Sequence, residues 1–420
     1  MHLERVAIVN ENRFRPDQWG MPGFDLRHLE EPLRCSGVVD NVDNFYYGDY
    51  ANPDEALINY CVQKKPQALL LSLQWAVLQG MPAPTPVTLR KITFELGIPS
   101  ATFWFDIYLG VVTEFCERYL DTVTLNVIGG ADSNSHKTLP LEGASYVYTG
   151  LTFDERLFSR PEGVRDIPVG FLGSMFQNRS PWIAALRKLG MPVFTSGGVL
   201  IEGKLPDAAS GKPASAWIPY DEYLKLMSRT KVMLNFALTY EGGYNGLLLT
   251  EKGRVWEALH WLAPRCKAWL SKVAKNPGNL RHTIPFLKDT VQRLLGKPRY
   301  QIRGRVWEAL WCRTFLLEEN NPVTSLYFEP YVDYVPFTSL KDLVDKIRYY
   351  LENEDERDRI RMQGRATVEK YHNARIYWEN LFETIGIQSS GQNQHRPGEI
   401  WNKAYFDKWY SSHPPNTRIV

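Results

Sequence analysis

The chain has 420 residues, of which 44% are hydrophobic and 23% charged, and its formal net charge is +2. That length accommodates two ordinary domains, each with its own core, and the composition is that of a soluble globular protein. No apolar run reaches the roughly 20 residues that a membrane-spanning helix needs. The opening "MHLERVAIVNENRF" runs straight into a strand-like segment, without the charged lead and apolar core of a signal peptide. Five scattered cysteines (Cys35, Cys61, Cys116, Cys266 and Cys312) are odd in number and form no CxxC pair. They fit reduced thiols in a cytoplasmic protein better than a disulfide scaffold or a zinc site.

In chain order, "RVAIVN", "ALLLSLQ", "SATFWFD", "TVTLNVI" and "ASYVYTG" are short apolar, β-branched or aromatic runs. Helical stretches separate them: "NPDEALINYCVQKK", "TPVTLRKITFELG" and "VVTEFCERYLD". Apolar strands alternating with amphipathic helices predict a parallel sheet covered on both faces. Asn52 and Pro53 suit the cap and first turn of their helix. The polar stretch from Asp154 to Asp166 is the expected domain boundary.

The pattern then restarts. "IPVGFLGS" reads as a strand ending in glycines, "SPWIAALRKLG" as a helix capped by Ser180, and "MPVFTSGG" as the next strand. "YDEYLKLMSRT", "KVMLNFA", "TFLLEE" and "YVDYVPF" continue the alternation, and a charged helical tail runs from Ser339 to about Gly386. The expected division is an N-terminal domain over 1–155, a C-terminal domain over 166–387 with a basic helical insert at about 241–299, and a tail over 388–420. Between Lys252 and Arg305 thirteen Lys/Arg face two acids, Glu257 and Asp289, so the remainder of the chain is net negative. That asymmetry fits either a surface for an anion or a solvated basic helix pair.

Inside this region "GRVWEAL" occurs twice, at Gly253 to Leu259 and at Gly304 to Leu310. In the second copy Arg303 and Arg305 precede Glu308, a set able to meet a diphosphate and a ribose diol. The same residues also fit an ordinary Arg305–Glu308 surface pair, and residue chemistry leaves both readings open. "GFLGSMFQNRS" joins a strand to a helix through glycines, so backbone N–H groups and Arg179 can approach a phosphate; strand-ending glycines are also common without one.

Taken together, "IPVGFLGSMFQNRSPWIAALRKLG", "KVMLNFA", "RGRVWEALWCRTFLLEEN" and the block from "FEPYVDYVPF" to "ARIYWENLF" resemble the GT-B glycosyltransferases of the spore-maturation CgeB-like group, related to retaining family-4-like enzymes. The likeness covers Ile167 to Phe382 apart from the interruption, and the N-terminal half more loosely through "KKPQALLLSLQ" and "IPSATFWFD". It implies an α/β, GT-B fold of two doubly wound, Rossmann-like domains facing a central cleft, and transfer of a sugar, hexosyltransferase-like and with retention, from a nucleotide diphosphate sugar such as a UDP-sugar.

Only the second "GRVWEAL" runs into an "LLEE"-like strand. The resemblance therefore gives Glu308 the ribose contact, Arg303 and Arg305 the diphosphate, and Gly173, Ser174, Arg179 and Asn235 the rest of the donor site. It implies Asp106 as the catalytic residue facing the acceptor, which as a general base needs a raised pKa; a strand-end cap is the plainer account of the same residue. Gly20 and Gly23 open an expected acceptor loop, and Lys267 and Lys272 of the basic insert are expected to meet an anionic acceptor, a membrane-linked glycan or nucleic acid. His28 and His136 are expected to be ordinary surface or helix histidines.

Two departures stand out: Tyr300 occupies the position where related retaining enzymes carry an acid, and "LWCR" replaces the small residues after Glu-Ala. No Asp-any-Asp pair occurs, so no metal and no cofactor are expected, with arginines neutralising the leaving group instead. The expected location is cytoplasmic, peripheral to a membrane if the acceptor is lipid-linked. Two rival functions remain at this stage: a DNA-base-modifying glycosyltransferase whose insert holds nucleic acid, and a catalytically silent GT-B-like binding protein.

Overall fold

The computed structural model describes residues 2–11, 26–74, 82–105, 118–129, 144–159, 163–173, 179–196, 220–240, 267, 270–271, 273–274, 298–387 and 400–402. Two sheets organise them. The first contains β1 (Leu3–Asn10), β2 (Val39–Tyr46), β3 (Ala68–Leu71), β4 (Ser100–Phe105), β5 (Leu125–Gly129), β6 (Tyr146–Thr149) and β14 (Ile400–Asn402), in the order β14-β6-β5-β4-β3-β1-β2. All neighbours pair parallel except β14, which runs antiparallel to β6. The second is a parallel sheet of β7 (Ile167–Leu172), β8 (Val193–Ser196), β9 (Thr230–Asn235), β12 (Phe315–Glu319) and β13 (Val335–Phe337), in the order β13-β12-β9-β7-β8. A separate antiparallel pair joins β10 (Leu238–Tyr240) and β11 (Pro298–Tyr300).

Local sequence explains most helices. A short π-helical turn at Leu26–Glu30 leads into α1 (Glu31–Ser36), which stops at Gly37 with φ of 67°. α2 (Pro53–Lys64) begins as expected: the Asn52 side chain accepts from the Glu55 N–H, and proline sits in the first turn, where its missing N–H costs nothing. Thr85 caps α3 (Pro86–Arg90) in the same way. α4 (Arg179–Lys188) starts one residue before the expected cap, so Ser180 lies inside the helix, and Gly190 at φ of 77° ends it. The charged tail is three helices rather than one: α7 (Leu340–Glu352), α8 (Glu354–Tyr371) and α9 (Ala374–Thr384). Asn353 and Asn373 break the run, and the Asn373 side chain caps α9 by accepting from the Ile376 N–H.

α9 packs on the first sheet, away from the strands that precede it in the chain. Its buried Ala374, Trp378, Leu381 and Phe382 follow helical spacing and pack with Val6, Ile8, Leu70, Phe103 and Val127 of the first sheet. Trp378 meets Phe103 edge-on at 6.2 Å between centroids. The chain thus returns to its first domain, and the Glu155 carboxylate accepts the Ala374 N–H at 2.6 Å to hold the crossing. His28 lies in the helical turn Leu26–Glu30. It is buried, bonds the Thr152 carbonyl through Nδ1 at 3.0 Å and meets Phe153 edge-on. Burial, then the Arg27 charge, lowers its pKa to about 3, so it is a neutral core residue. Phe153 continues through Phe158 to Trp311, an aromatic ladder that joins the two domains beside the linker. At the same seam Gly150 lies so close to the Trp307 ring that a Cβ would overlap it.

Three described cysteines, Cys35, Cys61 and Cys312, are free thiols, all pushed up to about 12 by burial. Among the described residues no helix is long and apolar enough to cross a membrane.

Trp378→Ala should cost about 3–5 kcal/mol, the usual range for emptying a large aromatic site. Chemical denaturation followed by circular dichroism measures it; a loss below about 1 kcal/mol would show that α9 adds little to the first domain.

Candidate functional site

In the second sheet the chain passes from β7 to β8 on one side and then returns to β9 on the other. The seam between β7 and β9 is therefore the topological switch point, and in open α/β sheets ligands sit at such a seam, outside the carboxyl ends of the strands. Leu172 ends β7 and Asn235 ends β9.

Arg305 bridges that seam. It is the second residue of α6 (Gly304–Trp311), the helix formed by the second "GRVWEAL". Its Nε donates to the Leu172 carbonyl, its Nη1 donates to Asn235 Oδ1 at 2.8 Å, and its Cζ lies 4.6 Å from the Phe171 ring centroid. Its Nη2 lies over Gly173, whose φ is 149° and where a Cβ would overlap the guanidinium. Gly173 thus serves by leaving space, as a residue with a side chain there could not. Arg179, buried at the start of α4, approaches the same Phe171 ring at 5.9 Å. Four of the expected donor residues, Gly173, Arg179, Asn235 and Arg305, meet at one place.

Two acids that sequence reading passed over lie beside them. Glu318 and Glu319 end β12, next to β9, and both are buried. Burial pushes the Glu319 carboxyl up to about 7, opposed by the backbone N–H groups of Leu238 and Ala237 and by the Arg179 charge. Burial likewise pushes Glu318 up to about 8, although Thr324, Asn321 and Asn235 all donate to it. The signal was present in "TFLLEE", two acids closing an otherwise apolar strand.

Glu308 is placed differently. It is buried and faces α5 (Tyr220–Ser228). The Tyr220 hydroxyl donates to Oε1 at 2.9 Å and the Tyr223 hydroxyl to Oε2 at 2.8 Å. Burial, then the Glu308 charge, raises both phenols well above their ordinary value, so they stay protonated donors. The alternative reading, a helix-surface pair of Arg305 with Glu308, does not hold, because each takes other partners. Arg27 of the first domain stacks over the Tyr220 ring at 4.7 Å and so reaches the same cluster. Arg303 is the N-cap residue of α6, with a buried Nε that has no partner among the described residues.

Asp106, Ser174, Gly20, Gly23, Lys272 and His136, and the first "GRVWEAL", lie outside the described residues. Lys267 is exposed on a helical stretch of the insert. For Tyr300 only the backbone is described, paired with Leu238.

Residues 284–383 match the family model described as glycosyl transferase-like, a span that includes α6, β12 and β13. Among solved structures, sucrose-phosphate synthase from Thermosynechococcus elongatus is similar at a TM-score of 0.50 and 8% identity, covering 91% of this chain and 99% of that one. HepE from Anabaena, in complex with UDP-glucose, is similar at a TM-score of 0.49 and 11% identity, covering 92% and 100%. No curated protein matches by sequence. The fold is GT-B, with two Rossmann-like halves.

Glu308→Ala strands the buried Tyr220 hydroxyl and the part-buried Tyr223 hydroxyl, at about 1–3 kcal/mol for the first and less for the second, so it should lower stability by about 1–4 kcal/mol without any ligand. Urea denaturation checks this, and an unchanged midpoint would mean that both hydroxyls find water. The buried acids give a pH dependence. Below the ordinary carboxyl value of 4.5 both folded and unfolded states are protonated; above it only the folded state keeps these protons, until about pH 7 for Glu319 and about pH 8 for Glu318. Their contribution to stability therefore falls as pH rises through this window, by at most about 1.4 kcal/mol per pH unit per group. Melting temperatures measured across that window should fall less steeply in Glu318→Gln; identical slopes would mean that Glu318 ionises normally.

Proposed function

We propose that the chain is a glycosyltransferase that binds a nucleoside diphosphate sugar at the carboxyl ends of β7 and β9 and passes the sugar to an acceptor held by the first domain. The observation that carries this reading is Arg305. Its guanidinium is fixed across the switch point by the Leu172 carbonyl and the Asn235 amide oxygen, neutral groups that orient it without cancelling its charge. Among the described residues no carboxylate forms an ion pair with it. A half-buried cation left uncompensated at a ligand seam suits an anion, and a diphosphate is the anion that a sugar donor presents. The glycosyl transferase-like match over 284–383 supports the same class.

In the reaction the bond from the anomeric carbon to the diphosphate oxygen breaks, and a bond to the acceptor oxygen forms. The acceptor's proton goes to a base, the role given to Asp106, and retention requires the acceptor to approach the anomeric carbon on the face that the diphosphate leaves. The departing diphosphate gains negative charge, and Arg305, with Arg179 beside the same ring, stabilises it more as that charge develops than in the ground state. Arginines in this role supply what a bound divalent ion would, so turnover is expected to be metal-independent. Retention, hexosyl transfer and a ribose contact by Glu308 belong to the same proposal, by resemblance. For the ribose contact, a diol must take acceptor positions that Tyr220 and Tyr223 now use.

A thermal-shift screen of UDP-, GDP-, ADP- and TDP-sugars should show one base stabilising the protein by about 2.7 kcal/mol at 100 times its dissociation constant. Excess EDTA should leave that shift and any donor hydrolysis intact. Arg305→Ala should abolish most of the shift, and Gly173→Ala should weaken it by displacing the guanidinium. If none of the four stabilises the wild type, the donor reading fails; if EDTA abolishes turnover and magnesium restores it, the arginine account fails.

A further inference from the structure

Asn235 holds Arg305, and the orientation of its amide is set from behind. An arginine has donors only, so the Asn235 atom facing Nη1 must be the oxygen. The amide nitrogen then faces Glu318 Oε1 at 3.3 Å, and that oxygen must accept. The Thr324 hydroxyl also donates to Oε1, at 2.7 Å, and the Asn321 amide nitrogen approaches it at 3.4 Å. Asn321 is itself fixed, because its Oδ1 accepts the Val323 N–H at 3.0 Å. Three donors thus converge on one oxygen of Glu318. The other, Oε2, is buried with no hydrogen-bond partner among the described residues.

That asymmetry has a chemical meaning. In a carboxylate the bare Oε2 would carry half of a buried negative charge with no donor near it, a costly arrangement. In a carboxylic acid Oε2 carries the proton and only a weaker unmet hydroxyl remains. Burial favours the neutral form as well, pushing the group up to about 8.

We propose that Glu318 is a positioning residue: as a neutral acceptor acting through Asn235, it fixes the Arg305 guanidinium over Gly173, where the donor's diphosphate binds. This deepens the donor-site reading and rests on it. Glu318 sets which way the amide of Asn235 points, and without it the amide can turn its NH₂ toward a guanidinium that it then repels. The role needs an acceptor of the right shape and no charge, so glutamine should replace glutamate and an apolar residue should not.

The test has two readouts. The first is the Arg305 side-chain Nε–H resonance in ¹⁵N spectra, assigned by its loss in Arg305→Lys; it reports where the guanidinium sits whether or not a nucleotide binds. The second is the affinity for the nucleoside diphosphate that gives the largest thermal shift, compared with its parent nucleoside. Glu318→Gln should keep the resonance and the preference for the diphosphate. Glu318→Leu should shift the resonance and lower that preference by about tenfold to a hundredfold, the usual weight of a charge-assisted hydrogen bond, while nucleoside affinity stays. A merely structural role would weaken both ligands together. Asn235→Asp is the second variant, used if Glu318→Leu does not fold: it keeps the contact to Arg305 but neutralises its charge, so diphosphate preference should fall with the resonance still ordered. The proposal is overturned if Glu318→Leu leaves the resonance and the preference unchanged, if Glu318→Gln loses as much as Glu318→Leu, or if Asn235→Asp keeps the full preference. If the resonance behaves as expected while no diphosphate binds the wild type, the donor-site reading falls and the positioning of Arg305 stands.

Discussion

The guanidinium of Arg305 is the point to which the second domain is built. It reaches across the seam between β7 and β9 and takes a carbonyl from one strand end and an amide oxygen from the other. The sheet order creates the seam, the glycine at 173 leaves room, and α6 delivers the side chain from its first turn. Each of these would be an ordinary feature alone. Together they hold a cation where an α/β sheet accepts ligands, at a position that no carboxylate among the described residues neutralises.

That geometry depends on a close fit between the two halves. The C-terminal helix α9 packs on the first sheet through Trp378 and its neighbours, and Glu155 secures the crossing. The aromatic ladder from His28 through Phe153 and Phe158 to Trp311 ends on α6 itself, the helix that carries Arg305. Contacts from the first domain therefore bear on the helix that carries Arg305. Arg27 adds a polar counterpart by stacking over Tyr220, whose hydroxyl engages Glu308 of the same helix. A motion between the domains would have to act through these packed rings.

The strands of the second sheet and the identity of α6 were legible because near-continuous apolar runs separated by amphipathic helices leave little choice of period. The place of Arg305 was legible too, once "RGRVWEAL" was read ahead of an "LLEE" strand. β2 was not: "VDNVDNFY" is an edge strand whose buried Val39, Val42 and Phe45 do not alternate, so the period of two that marks a strand is missing. The return of α9 was hidden because its apolar spacing fits a core without saying which one. The burial of His28 was not legible, because a lone histidine shows nothing of burial, and its partners Thr152 and Phe153 lie far along the chain. The environment of Glu308 depended on Tyr220 and Tyr223, and the pairing of those phenols with an acid more than eighty positions away leaves no local trace.

Glu318 and Glu319 pose the remaining physical question, since two buried acids beside two arginines would ordinarily be taken as their counter-ions. The arrangement argues otherwise. Asn235 stands between Glu318 and Arg305, and a primary amide transmits orientation without transmitting net charge. Glu319 points its Oε2 at the Leu238 N–H and is drawn only partly down by Arg179 from a value that burial has raised. Were Glu318 ionised, a negative charge one amide away from Arg305 would cancel part of the field that attracts an anion. Held neutral, it supplies the hydrogen-bond geometry and leaves the positive charge intact. Burial therefore does two things here: it keeps the acid protonated, and by doing so it keeps the cation available to a ligand from outside the protein.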